Sequence, residues 1–403
     1  MSHDTSSVGE ASRNARLYLS GLAASLIGNS AMSLVAGIWV KSLTGSSAQA
    51  GLVSVCVYAP SLAGPLAGMA VDRVSRKRWL VGVNLASAAT ILMLLAVRSE
   101  HEVWVIFVAM TAYGIELILI TPAEDALFAE MLPRTVRQRV NGWRVGIQET
   151  GRLVAPLIGA GLFALLGGGA VAAVDAATFL VAATAVSMLR VPRGSAPPTS
   201  KRWLEELTAG ARHIWAERPL RHVAIAATAV MALSGVGVAA QYSLVAGLGQ
   251  RPAFLGVLTA ALGAGSIAAA LVSGRLVARV GERRVAVAGL ANFAVGDLLR
   301  ASGWLPAAVL GSVVLGFALP WVFLAVLNLA QRMTPNALQG RVSAAITLAL
   351  FGPQAPTQGL GALAISHATY RQIFLASAAV AVVIAAWLAA SRACNVNPDS
   401  LRS

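Results

Sequence analysis

Long stretches of the chain carry no charged side chain. Asp, Glu, Lys and Arg are absent from Leu17–Val40, Ser42–Val71, Trp79–Val97, Leu153–Val174, Val223–Gln250, Ala301–Gln331 and Val342–Tyr370. A helix needs roughly 20 apolar residues to cross a ~30 Å hydrocarbon layer. The pattern predicts six membrane-crossing helices at about 17–40, 48–71, 79–97, 103–125, 141–166 and 170–189. Six more are predicted at about 222–247, 253–278, 285–303, 306–331, 342–366 and 370–390. Glu116, Asp175 and Asp297 interrupt the fourth, sixth and ninth stretches, which are kept because their flanks are apolar.

The basic residues give the stretches a direction. With the N-terminus inside, alternate loops hold Arg13 and Arg16, then Arg73, Arg76, Lys77 and Arg78, then Arg134, Arg137 and Arg139. The series continues with Arg279, Arg283 and Arg284, then Arg332 and Arg341, then Arg392 and Arg402. The opposite loops hold little beyond Lys41, Arg98, Arg251 and Arg371. Because Lys and Arg bias sets orientation, both termini are expected in the cytoplasm of a bacterial inner-membrane protein.

Composition agrees with this reading. Of 403 residues 57% are hydrophobic and 12% charged, whereas a soluble domain carries about 25% charged residues. A cytosolic enzyme is excluded. The net charge of +14 sits in short loop clusters, which is the membrane pattern and not that of a nucleic-acid binder. Two cysteines and five scattered histidines offer neither a disulfide framework nor a metal site. Gly263-x-Gly265 lies in an apolar stretch with no preceding strand, so no phosphate-binding loop is read and no cofactor is expected.

The expected organisation is a cytoplasmic tail (1–15), a six-helix bundle (16–190), a linker (191–220), a second bundle (221–390) and a tail (391–403). The linker opens Pro- and Ser-rich and then places Trp203, Leu204, Leu207, Ala211, Ile214 and Trp215 at helical spacing among charged residues. This is an amphipathic helix suited to a membrane face. Three landmarks recur in the same order. Gly68-x3-Asp72-Arg73-x2-Arg76-Lys77-Arg78 matches Gly274-x4-Arg279-x3-Arg283-Arg284, Pro133…Arg139-Val140-Asn141 matches Pro335…Arg341-Val342-Ser343, and Pro156-x2-Gly159 matches Pro356-x2-Gly359. Three matches at nearly one spacing imply a duplicated unit.

This array and its basic loop resemble the major facilitator superfamily. The resemblance implies an all-α membrane protein of twelve transmembrane helices in two pseudo-symmetric six-helix bundles, with a midplane substrate site between them. It also implies alternating access by a monomer. Gly142-x8-Gly151-x3-Ala155-Pro156-x2-Gly159-Ala160 is similar to the family's antiporter motif, which marks exporters that exchange protons for a drug-like solute. Within the family, the chain resembles the enterobactin-exporter-like group at Ser25-x2-Gly28-Asn29, Thr44-Gly45-Ser46 and Gln331-Arg332-x-Thr334-Pro335. The expected partners are therefore an amphipathic small molecule (a drug, an antibiotic-like metabolite or a siderophore), protons and the lipid bilayer. An importer and a non-transporting receptor are the alternatives.

Charge inside a membrane is unfavourable and usually faces a cavity or a partner. Glu116, Glu149 and Arg152 are the proton-coupling candidates, since spans four and five line the cavity in the family the chain resembles. Asp175, Asp297 and Arg300 rank lower because spans six and nine are peripheral there. Asn29, Gln241, Tyr242, Trp321 and Asn328 are the candidate cargo contacts. Gly68, Asp72, Arg73, Arg76, Lys77 and Arg78, with Glu124 and Asp125 across from them, form a candidate conformational latch.

Overall fold

The computed structural model describes residues 2–63, 75–132, 134–191, 203–335 and 338–391. Among these residues there is no strand. The first half holds α1 (Ser2–Thr44), α2 (Ser47–Tyr58), α3 (Arg76–Leu92), α4 (Val103–Met131), α5 (Arg134–Leu166) and α6 (Gly168–Ser187). Next come α7 (Trp203–Ala216), α8 (Arg218–Gly247), α9 (Leu255–Val280) and α10 (Glu282–Ala301). The chain ends with α11 (Leu305–Met333), α12 (Gln339–Phe351), α13 (Gln354–His367) and α14 (Tyr370–Ala390). Helix is the form in which a spanning segment satisfies its backbone groups internally, lipid offering them no partner.

Eight helices among the described residues are long and apolar enough to cross a membrane. The described parts of the other four expected spans also fall on helical structure. The second is α2 and a 3-10 turn at Ala59–Ala63, beyond which residues 64–74 lie outside the described set. The fifth, within α5, has a charged amino half, which leaves Val154–Leu166 as its apolar part. The ninth, α10, carries Glu282, Arg283, Arg284, Asp297 and Arg300. The eleventh is not continuous: Gly352 and Pro353 separate α12 from α13, because proline cannot donate the helical hydrogen bond.

Residues Met1–Ser200 with Pro252–Gly256 form one compact unit, and Lys201–Arg251 with Val257–Ser403 form the other. In the first, α1 packs on α5 and α6, and α3 packs on α4 and α6. In the second, α8 packs on α13 and α14, and α10 packs on α11 and α14. In each unit the first long helix therefore meets the fifth and sixth, and the third meets the fourth and sixth. The internal repeat is a repeat of packing.

The apolar core of the first unit is in two pieces. One gathers Met32, Val35, Ile91, Ile106, Met110, Tyr113 and Phe179, and the other Tyr18, Leu22, Leu80, Leu127, Phe128 and Leu189. Glu116, Ser87 and Gly28 lie on the helix segments between them. The second unit has one continuous core around Leu220, Leu290, Phe293, Val326 and Ile346. Large apolar side chains such as Leu165, Leu271 and Val383 are exposed on the helices, as lipid contact requires and water disfavours.

Two connecting segments are more ordered than their composition implies. The helix of the expected N-terminal tail runs on into α1, and buried Asn14 donates to the Arg190 carbonyl at 2.7 Å while accepting from its N–H at 3.2 Å. The linker helix α7 packs on α12 within the second unit. Ile214 is buried there, and Gly210 meets the Arg341 carbonyl so closely that a Cβ would overlap it.

Candidate functional site

Glu116 lies midway along α4, buried among apolar helices. It is 8% exposed, and its Oε1 accepts the Thr90 hydroxyl of α3 at 3.0 Å. Ser87, one turn earlier on α3, gives its hydroxyl to the Val83 carbonyl at 3.0 Å. Oε2 is buried without a hydrogen-bond partner. A carboxyl held by one hydroxyl, with its second oxygen unsatisfied, suits a group that gains and loses a proton. The side chains of Glu149 and Arg152 lie outside the described residues, so α5 places only their backbone.

Part of the candidate latch is also outside the described set, namely Gly68, Asp72 and Arg73. Arg76, Lys77 and Arg78 open α3. The Lys77 ammonium donates to the Leu189 carbonyl at 2.8 Å, so it caps the carboxyl end of α6. In the second unit Arg283 donates to Ser391 and Ala389 at 2.8 and 3.0 Å, at the end of α14. Asp125 is bound by Arg144 of α5 at 2.6 Å, and the same guanidinium lies 5.8 Å from the Phe128 ring and acts on Glu124. Arg144 was not among the expected site residues. Its signal was a second cation in the fifth predicted stretch, ahead of Arg152. The second unit pairs Arg332 with Glu282 at 3.1 Å.

The antiporter-like residues lie along α5, which runs unbroken through Pro156. Ala155, Pro156, Gly159, Ala160 and Gly151 are buried, whereas Gly142 is exposed and has open space around it. Gly159 is the close approach: a Cβ there would stand 2.8 Å from the Ala31 Cβ and 2.9 Å from its Cα on α1. In the second unit Gly361 meets the Val236 backbone of α8 in the same tight way. Small residues thus bring the fifth helix of each unit against the first.

Of the five expected cargo contacts, Asn29 belongs to the first unit and the other four to the second. Asn29 donates to Ser25 Oγ at 3.3 Å and leaves its buried Oδ1 unpartnered. Tyr242 is buried in α8, and Gln241 and Asn328 are half-buried. Trp321 donates to the Ala269 carbonyl at 3.3 Å and packs edge-on against Phe317 at 5.5 Å. The lower-ranked Asp297 and Arg300 form a buried pair at 3.4 Å, with Arg300 4.4 Å from the Phe374 ring. Among the described residues, no three His, Cys, Asp or Glu side chains gather as a metal site.

Two overlapping stretches, 17–240 and 223–402, each match the Major Facilitator Superfamily. The chain belongs to that superfamily. As a member it carries the superfamily's helical membrane architecture, with eight membrane-length helices among the described residues. Macrolide efflux protein A of Streptococcus pyogenes is 26% identical over 176 residues, 43% of this chain and 44% of that protein. Macrolide efflux protein A of Enterococcus faecalis is 27% identical over 132 residues, 32% of this chain and 41% of that protein. The chain spans less than half the length of these curated relatives. Among solved structures, the nucleoside transporter NupG superposes with a TM-score of 0.74 at 14% identity, covering 94% of this chain and 98% of that one. An inward-facing bacterial homologue of the iron transporter ferroportin gives 0.72 at 15% identity, covering 94% and 99%. At such identities the superfamily fold is what the two share with this chain.

Proposed function

We propose that this transporter exports an amphipathic small molecule in exchange for protons by alternating access, as a monomer with both termini in the cytoplasm. The observation that carries export is the 176-residue similarity to Macrolide efflux protein A. It favours a macrolide-like cargo, while the resemblance to the enterobactin-exporter-like group makes a siderophore the second cargo class. The antiporter-like residues Gly142, Gly151, Ala155, Pro156, Gly159 and Ala160 support exchange over uptake.

In this reading Glu116 is the proton carrier, buried and held by Thr90. Glu149 and Arg152, three residues apart and so on one face of α5, share or modulate that task. Asn29, Gln241, Tyr242, Trp321 and Asn328 supply polar and aromatic contacts to the cargo. The segment from Gly68 to Arg78 works with Glu124 and Asp125 as the conformational latch, so Asp72→Asn slows transport without lowering surface level.

Retention of radiolabelled erythromycin by cells that lack their own exporters tests the export reading. Expression of the full chain lowers retention several-fold, and a protonophore restores it. Retention that rises on expression supports import and overturns the proposal.

A further inference from the structure

An apolar groove of about 340 Å³ opens on the surface of the first unit between α1 and α6. Leu17 of α1 and Leu180, Val181, Thr184, Ala185 and Met188 of α6 line it. From Met188 back to Leu180 it follows α6 over roughly 12 Å, at about 1.5 Å per residue. Thr184 turns its hydroxyl onto the Leu180 carbonyl at 2.8 Å, so the lining presents hydrocarbon to whatever fills it.

The end of the groove at Met188 is basic. Arg13, Arg16 and Leu17 stand three and four residues apart on α1 and share one face of it. The Arg13 guanidinium donates to the carbonyl of Met188, a lining residue, at 3.4 Å, and its Nη1 is buried without a hydrogen-bond partner. Arg16 is exposed, and its Nε reaches the Ser12 carbonyl of its own helix at 3.5 Å. Lys77 adds a third positive charge at the next carbonyl of α6, that of Leu189. Among the described residues neither Arg13 nor Arg16 pairs with a carboxylate, whereas Arg144 has Asp125 and Arg332 has Glu282.

A guanidinium carries five N–H donors, and bonds of 3.4 and 3.5 Å lie at the long limit of hydrogen bonding. Lys77 already caps α6 with a short bond, so the two arginines keep donors for another acceptor. Paired guanidinium donors match phosphate oxygens. Basic side chains at the end of a spanning helix lie level with the lipid phosphates, and basic pockets between such helices take anionic headgroups. A second copy of this chain packed through the same face would bring like charges together. An anionic lipid matches both parts of the surface, with its phosphate at the arginines and its tail in the groove. We propose that the α1–α6 groove binds one anionic glycerophospholipid, its phosphate held by Arg13 and Arg16 and one acyl chain laid along Leu180, Val181, Thr184 and Met188. The proposal goes beyond the export reading and depends on neither cargo nor coupling ion.

Phosphatidylglycerol with a diazirine in one acyl chain tests it, with the full chain in nanodiscs of otherwise zwitterionic lipid. After illumination, adducts are mapped by mass spectrometry, and the yield at residues 180–188 is divided by the yield at exposed Val383 of α14. This ratio is expected to be about fivefold higher than with a phosphatidylcholine probe of the same chains, from the attraction of basic residues for anionic headgroups. Arg13→Ala and Arg16→Ala together lower it at least about threefold, and Arg251→Ala on another loop leaves it unchanged. Thr184→Trp, which fills the groove and keeps the charge, also lowers it. Equal ratios for the two probes, or a wild-type ratio in the double alanine variant, overturn the proposal. So does a wild-type ratio in Thr184→Trp or an equal fall in Arg251→Ala, since either marks attraction by surface charge alone. If the double alanine variant does not fold, the comparison of the two probes on the wild type and on Thr184→Trp decides.

Discussion

The Lys77 ammonium sits 2.8 Å from the Leu189 carbonyl, and Arg283 makes the equivalent bonds to Ser391 and Ala389 in the other unit. Both cations come from the basic loop motif, at positions matched by the internal repeat. Each ties the start of its unit's third long helix to the end of its sixth. The motif therefore has a local role in each unit as well as its place in the charge pattern. A cation at a helix carboxyl end satisfies carbonyls that have no partner within the helix.

Removing either cation should loosen its own unit. Lys77→Ala and Arg283→Ala are each expected to lower stability by about 1–2 kcal/mol, the worth of a charge-assisted hydrogen bond. Lys77→Arg should keep most of it. Thermal unfolding of the full chain in detergent gives the comparison, and unchanged melting in both alanine variants would contradict the assignment.

The glycines of α5 should divide by contact. Gly159→Ala places a methyl 2.8 Å from the Ala31 Cβ, and overpacking of this kind costs about 1–3 kcal/mol. Gly142→Ala meets open space and is expected to be neutral or stabilising by up to about 1 kcal/mol, since alanine is the better helix former. Melting temperatures of the two variants should move in opposite directions or differ clearly in size.

The buried pair in α10 should behave as a unit. Asp297→Leu or Arg300→Met alone leaves a buried charge without its partner, a loss of about 3–5 kcal/mol. The double variant should recover most of that. A double-mutant cycle on thermal stability measures the coupling, and additive losses would mean the two side chains are held by other groups.

The helices were largely legible in the chain because charge-free stretches of membrane length are unambiguous. Even the interruptions at Glu116, Asp175 and Asp297 proved to be helix interiors. Charge alone does not show the break at Gly352 and Pro353, whose signal is the Gly-Pro pair itself. Partners were the least legible part. Asp125 finds Arg144 on the neighbouring helix, and Asp175 finds Gly28 on a helix more than a hundred residues away. Hydrophobic periodicity says which face of a helix is covered, not which residue covers it. Asp175 ranked below Glu116 by resemblance to a family in which span six is peripheral.

Glu116 gives the most direct test of the transport mechanism. Everted membrane vesicles carrying the full chain are given an acidic interior, and uptake of radiolabelled erythromycin is followed beside counterflow with no pH gradient. The expected result is gradient-driven uptake by the wild type, with Glu116→Gln losing that uptake at least about tenfold while counterflow persists. Gradient-driven accumulation at the wild-type level in Glu116→Gln would contradict the account.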